Sequence, residues 1–171
     1  MTPPLTVRQA LQTDASAIAR IHNQGIEERG ATFETALRTV EGIEAVLREK
    51  GDRYPTIVTV RGGDVVAWAA VSPYSSRECY AGIAEFSVYT ERSARGTGAG
   101  RAAMEGLFRA CEERGFWKLT SRVFPENRAS LTLLGKLGFR QVGTHRRHAK
   151  VDGVWHDCII VEKLLGEALE A

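Results

Sequence analysis

Two short segments carry residue types that can do chemistry. In the first, Arg95-Gly-Thr-Gly-Ala-Gly100-Arg101 follows closely on the run Glu85-Phe-Ser-Val-Tyr-Thr90 and opens an amphipathic stretch, so strand, glycine-rich turn and helix come in succession. This is an anion-binding design. Gly96, Gly98 and Gly100 let the backbone approach a ligand closely, and the first N–H groups of the following helix have no intrahelical partner and sit at its positive end. A pyrophosphate meets both conditions. In the second, Glu85 is a lone carboxylate in the middle of an otherwise apolar strand just ahead of that turn. Partial burial there would make it a useful proton acceptor, whereas the plain structural alternative is an outward, solvated position.

Two other nucleotide designs are testable against the same residues. A P-loop needs Gly-Lys-Ser/Thr at the helix start, and Gly100 is followed by Arg101-Ala102. Gly98-x-Gly100-x-x-Ala103 fits a loose dinucleotide fingerprint, but the acid expected about 20 residues later is missing from Trp117 to Val123. The P-loop fails, the dinucleotide reading stays a weak alternative, and the plain alternative is a tight strand-to-helix connection.

The elements that must position these groups follow from periodicity. Leu5 to Arg8 reads as a first strand, and Thr13-Asp14 as the cap of a helix with Ile18, Ile21 and Ile26 on one side. Thr39 caps a second helix carrying Val40, Ile43, Val46 and Leu47, which Gly51 ends. Thr56 to Arg61 and Val65 to Ser72 form a hairpin about Gly62-Gly63-Asp64, and Ile83 to Thr90 is the next strand. Gly98 to Arg114 is a helix, Trp117 to Val123 a strand and Asn127 to Leu137 a helix, and the remainder forms two strands turning at Asp152-Gly153. The order βααβββαβαββ predicts an α/β fold, a mixed sheet with helices on both faces, in one domain over residues 1–171.

Composition bounds the function. The 171 residues are 43% apolar and 26% charged, enough for one real core, and the net charge of +2 gives no reason to expect a nucleic-acid or membrane surface as partner. The basic run His145-Arg-Arg-His-Ala-Lys150 reads as a solvated strand face. Without a leader-like N-terminus or a spanning apolar run, the expectation is a soluble, cytoplasmic protein. Cys79, Cys111 and Cys158 have no metal-ligand spacing and read as free thiols, so neither a disulfide nor a metal is expected.

Arg95-x-x-Gly98-x-Gly100 resembles the Arg/Gln-x-x-Gly-x-Gly/Ala signature of the GNAT acetyltransferases. Phe124-Pro-Glu-Asn127-x-x-Ser130 through Leu137-Gly138-Phe139 resembles their second cofactor motif. Ala84-Glu85-Phe-Ser-Val-Tyr89 and Trp155-His-Asp157 are similar to the phosphinothricin, methionine sulfoximine and arsinothricin N-acetyltransferase branch. Glu78-Cys-Tyr-Ala-Gly82 looks most like its arsinothricin-resistance members. The resemblance implies a GNAT fold with a mostly antiparallel sheet, acetyl-CoA as co-substrate, a homodimer, and acetyl transfer to the amine of a small amino-acid-like molecule, as in detoxification.

Residue by residue, the resemblance implies that backbone groups of Val88 and Thr90 pair with the pantetheine arm. Arg95, Gly96, Gly98, Ala99, Gly100 and Arg101 would hold the pyrophosphate, and Asn127 and Ser130 would contact the cofactor near its reactive end. Asn127 also suits a simple helix cap. Glu85 matches the proposed base. The tyrosine that often serves as general acid is replaced by Leu134, which leaves the sulfur to depart as thiolate or through water. Tyr89 reads as packing, and His145, His148 and His156 as surface or strand-pairing residues. For the acceptor, Tyr74, Arg77 and Tyr80 lie on the loop leading into the Glu85 strand, and Arg77 offers a fork for an anionic group or is simply exposed. Phe33 and Glu34 provide a second wall. Two rivals are a peptide or protein N-terminal acetyltransferase, which needs an open groove, and a CoA-sensing domain without turnover, which has no use for Glu85.

Overall fold

Alternation along the strands decides which helix each face receives. The computed structural model describes residues 1–171, with strands β1 (Leu5–Gln9), β2 (Thr56–Arg61), β3 (Asp64–Pro73), β4 (Ile83–Thr90), β5 (Lys118–Val123), β6 (Arg140–Val151) and β7 (Val154–Leu164). The helices are α1 (Ala15–Glu28), α2 (Val40–Lys50), α3 (Ala99–Glu113) and α4 (Arg128–Lys136). Ala67, Ala69 and Val71 of β3 and Ala84 and Phe86 of β4 are buried in one cluster with Ala103, Met104 and Leu107 of α3. Val58, Trp68 and Ala70 point the other way and are buried with Ile18 and Ile21 of α1 and Ile43 of α2. Each large side chain so buried contributes on the order of 1.5–3 kcal/mol. By the same alternation, Glu85 and Ser87 belong to the α1/α2 face.

The sheet runs β1-β2-β3-β4-β5-β7-β6. The order βααβββαβαββ, the mixed sheet and the flanking helices are those expected from the sequence. Every neighbouring pair is antiparallel except β4 and β5, which α3 connects as a crossover and which are parallel. That parallel ladder holds only for Ile83↔Lys118, Ala84↔Leu119 and Glu85↔Thr120. Its closed end is pinned at Gly82, whose carbonyl accepts from Trp117 N at 2.8 Å and Lys118 N at 3.2 Å. A Cβ on Gly82 would lie 1.9 Å from the Trp117 ring, so the ring can pack there only against glycine. Past Glu85 the two strands part, and the fold's one large opening in the sheet lies between them.

The entrance to α1 differs from the expected cap. The Asp14 side chain makes no cap bond to the helix; it closes a short 3-10 turn over Gln12–Asp14 by accepting from Leu11 N at 2.7 Å. It also accepts from Arg8 Nη1 at 2.7 Å and Nη2 at 3.0 Å. The Arg8 hydrogen bonds hold this carboxyl below the usual range against the opposing effect of burial. A depressed folded-state value contributes stability above the unfolded value and loses it as pH falls through the folded one. Asp14→Asn should therefore cost about 1 kcal/mol at pH 7, with the difference from the parent vanishing in strong acid. Urea denaturation at pH 7 and along an acid series measures both.

Candidate active site

The parting of β4 and β5 opens a cavity of about 240 Å3. Glu85, Ser87, Val88 and Tyr89 line it from β4, Ser121 and Arg122 from β5, and Phe33 from the α1–α2 loop. Phe33 stands edge-on to Phe124 at 4.5 Å between ring centroids, so the loop after α1 reaches across to the segment after β5 and roofs this end. Asn127, Ser130 and Leu134 bring in the α4 side.

Glu85 accepts a hydrogen bond from Arg122 Nη2 at 2.8 Å, and its side chain is 35% exposed. An arginine partner holds the partly buried carboxylate at the cavity wall, a contact that the apolar run of the strand does not itself suggest. The thiol of Cys158, also on the wall, is raised by burial and stays protonated at neutral pH, which removes it as a nucleophile. Burial also raises the Tyr89 phenol, which lines the cavity beside Thr32 as well as stacking on His22 and Trp68. Leu134, where a tyrosine acid is common, is buried and contributes only hydrocarbon to the wall.

The glycine-rich turn sits at the open end of β4. Gly96 and Gly98 have φ of +73° and +88°, and a Cβ built on either meets nothing within 4 Å. Both require glycine's left-handed freedom, and the space over them is open. The first bond into α3 is Ala102 N to Gly98 O at 3.0 Å, so the N–H groups of Ala99, Gly100 and Arg101 have no carbonyl ahead of them. A clear approach over exposed N–H groups at a helix start fits a pyrophosphate. Gly100 has a packing role besides the one its motif suggests. A Cβ there would lie 2.6 Å from Thr90 Oγ1, so this glycine lets α3 pack on β4. Arg95 is paired with Glu28 at 2.8 Å and Arg101 with Glu105 at 2.9 Å, both on the exposed surface. Val88 and Thr90 lie on the part of β4 whose β5 side has no strand partner, an edge to which an extended arm can add.

Asn127 caps α4 by accepting from Ser130 N at 3.2 Å, and both residues also line the cavity. Glu34 does not. It is turned to His22 Nε2 at 2.5 Å and to Arg38, tying the α1–α2 loop to α1. Burial opposes its ionisation, yet Arg38 and His22 hold it below the usual carboxylate range, while burial keeps His22 below the usual imidazole range. Tyr74 and Tyr80 meet edge to face at 5.9 Å on an exposed loop with Arg77, and none of the three lines the cavity. His145 and His148 stack at 4.4 Å on β6, away from it. Sequence reasoning missed Arg122, Ser87, Ser121 and Cys158 as wall residues. Only the alternation of β5 and its register with β4 and β7 could have suggested them.

The chain matches the Acetyltransferase (GNAT) family over residues 20–139. It belongs to that family. Among its GNAT relatives, the phosphinothricin N-acetyltransferase of Streptomyces viridochromogenes is 29% identical over 154 residues, 90% of this chain and 84% of that protein. A GNAT phosphinothricin acetyltransferase from Sinorhizobium meliloti, solved in complex with acetyl-CoA, superposes with a TM-score of 0.87 at 27% identity, covering 98% of this chain and 91% of that one. A ribosomal-protein-alanine N-acetyltransferase structure from Brucella melitensis gives a TM-score of 0.89 at 30% identity, covering 94% and 99%. Acetyl-CoA is the co-substrate of this GNAT chain, and the open glycine turn and the free edge of β4 fit it. No group of three or more histidine, cysteine or carboxylate side chains is arranged to hold a metal ion.

Proposed function

We propose that the protein transfers acetyl from acetyl-CoA to the amine of a small amino-acid-like acceptor of the phosphinothricin, methionine sulfoximine or arsinothricin kind, as a resistance activity. The observation that carries this reading is the meeting of Glu85 with Asn127, the cap of α4, and Ser130 on one roofed cavity. A protein N-terminus needs an open groove, and the Phe33–Phe124 contact closes that end.

When bound, acetyl-CoA supplies an activated acyl group along the β4 edge. The residues do the rest. An ammonium cannot attack, and amines are mostly protonated at pH 7. Glu85 takes that proton on a carboxylate oxygen, directly or through one water, while Arg122 keeps the carboxylate facing the cavity. Backbone N–H groups of Ala99, Gly100 and Arg101 hold the pyrophosphate, with Gly96 and Gly98 giving it clearance, and Arg95 and Arg101 add positive charge from the rim. Asn127 and Ser130 face the reactive end. Phe33 bounds the acceptor's approach from the cavity wall, and Tyr74, Arg77 and Tyr80, which lie outside the cavity, could meet the acceptor only at its outer end.

One domain, residues 1–171, carries the reaction, in the cytoplasm. Three free cysteines suit a reducing compartment, and no helix is long and apolar enough to cross a membrane. We take the protein to be a homodimer on the resemblance to its family, with exposed Val154 and Trp155 at the β6–β7 turn as apolar surface available to a partner. Thiol release from acetyl-CoA, followed against a panel of amino acids, phosphinothricin, methionine sulfoximine, arsinothricin and N-terminal peptides, tests the function. Turnover confined to the peptides, or absent throughout, overturns it.

A further inference from the structure

A second cavity, of about 230 Å3, lies between α2 and the sheet and shares Ser72 and Ser87 with the first. Its floor is a row of small residues on three adjacent strands, since Ser87 pairs with Ala70 and Ala70 with Thr56. Neighbouring strands lie about 4.8 Å apart, so this row spans roughly 10 Å. Ile43, Val46 and Leu47 of α2 cover it, and Ile18 and Trp68 close the side. At the far end stands Lys50, whose Nζ donates to Thr56 Oγ1 at 3.0 Å and makes no ion pair. Two of the ammonium's three donors are left over.

No carboxylate lines this cavity, although His22, Arg38 and Lys50 all do. His22 and Arg38 share Glu34, so Lys50 is the cation without a counter-charge. His22 Nδ1 and Trp68 Nε1, both buried, also lack a partner, so the walls hold unmet polar atoms within an otherwise apolar lining. An apolar channel ending on an uncompensated ammonium suits an alkyl chain that ends in an anion.

We propose that this cavity is the side-chain subsite of the acceptor, taking an apolar spacer along Ser87, Ala70 and Thr56 and a terminal carboxylate or similar anion on Lys50. The inference rests on the acetyltransferase reading, because the shared serines place the acceptor's amine on the Glu85 side. It selects amino acids with an acidic group at the end of an extended side chain. Burial brings the Lys50 ammonium down to about 8. Across the cavity from it stand His22 from α1 and Arg38 from the α1–α2 loop, and behind it lies Cys111 from α3, whose thiol burial pushes up to about 12 and keeps neutral, with Arg53, Arg114 and Glu112 on the far side of that thiol. The preference for an anion is therefore present below about pH 8 and fades above it.

The test compares L-2-aminopimelate with neutral L-norleucine as acceptors, in the parent, Lys50→Met and Lys50→Arg. Lys50→Met should lower the kcat/KM ratio of acidic to neutral acceptor at least tenfold at pH 7, with the acetyl-CoA KM unchanged. Lys50→Arg should restore part of it, and the parent's ratio should decline above pH 8 where that of Lys50→Met stays flat. A second measurement, calorimetry with hexanoate, needs no turnover. Hexanoate should bind the parent saturably and bind Lys50→Met at least tenfold more weakly, while hexylamine should not bind. Hexanoate binding that is absent, or equal in a folded Lys50→Met, overturns the subsite. Lys50-dependent binding without turnover of either amino acid keeps the subsite and sinks the acceptor class.

Discussion

Glu85→Gln should lower kcat at pH 7 by about 10²-fold or more while leaving the acetyl-CoA dissociation constant near that of the parent. Glutamine keeps the size and the hydrogen-bonding reach of the carboxylate and loses only the capacity to take a proton. Arg122 then faces a neutral partner, but its side chain is 48% exposed, so water compensates much of that loss. The cofactor elements, the glycine turn and the free edge of β4, do not touch the substituted atom.

The pH dependence separates a base from a positioning group. As pH rises toward the acceptor's own ionisation, solution supplies more free amine and the deficit of Glu85→Gln should shrink. A residue that only positions the substrate would leave a deficit of constant size at every pH. Steady-state rates of both enzymes from pH 6.5 to about 10 decide the matter. Near-parental kcat at neutral pH would place deprotonation elsewhere, and the cavity's remaining groups would then need a new assignment.

What the sequence made legible is what neighbours in the chain determine. The strand, glycine turn and helix from Ile83 to Glu113 are written locally, in β-branched alternation, left-handed glycines and a helical apolar stripe. So is the Thr39 cap, which accepts from Gly42 N at 3.0 Å as its position implies. The site residues that escaped notice depend on pairings between distant segments. Arg122 reaches Glu85 only because β5 lies parallel to β4 in one register, across 37 positions of sequence. Glu34 read as a wall residue because its loop overhangs the cleft, yet His22 and Arg38 draw it inward. Asp14 read as a cap because the sequence shows the helix start but not Arg8 on the adjoining strand. Gly100 belongs to a phosphate motif by spacing and to helix–strand packing by contact, a distinction visible only once Thr90 is placed 2.6 Å from its missing Cβ.

That distinction makes the turn testable glycine by glycine. Gly98→Val should weaken acetyl-CoA binding at least tenfold, about 1.4 kcal/mol, for two additive reasons. Valine is β-branched and strained at a φ of +88°, so the turn must shift, and its side chain would stand in the open space above the N–H groups of α3. Nothing in the folded protein clashes there, since no atom lies within 4 Å of the added Cβ. The loss should therefore appear in the cofactor dissociation constant, together with the stability cost of the strained φ. Gly100→Ala should lose stability through the contact with Thr90 and change cofactor affinity less. Titration calorimetry with acetyl-CoA, paired with thermal melts of the two variants, reads both quantities. Unchanged affinity in a folded Gly98→Val would move the pyrophosphate away from this turn, whatever the resemblance of its spacing.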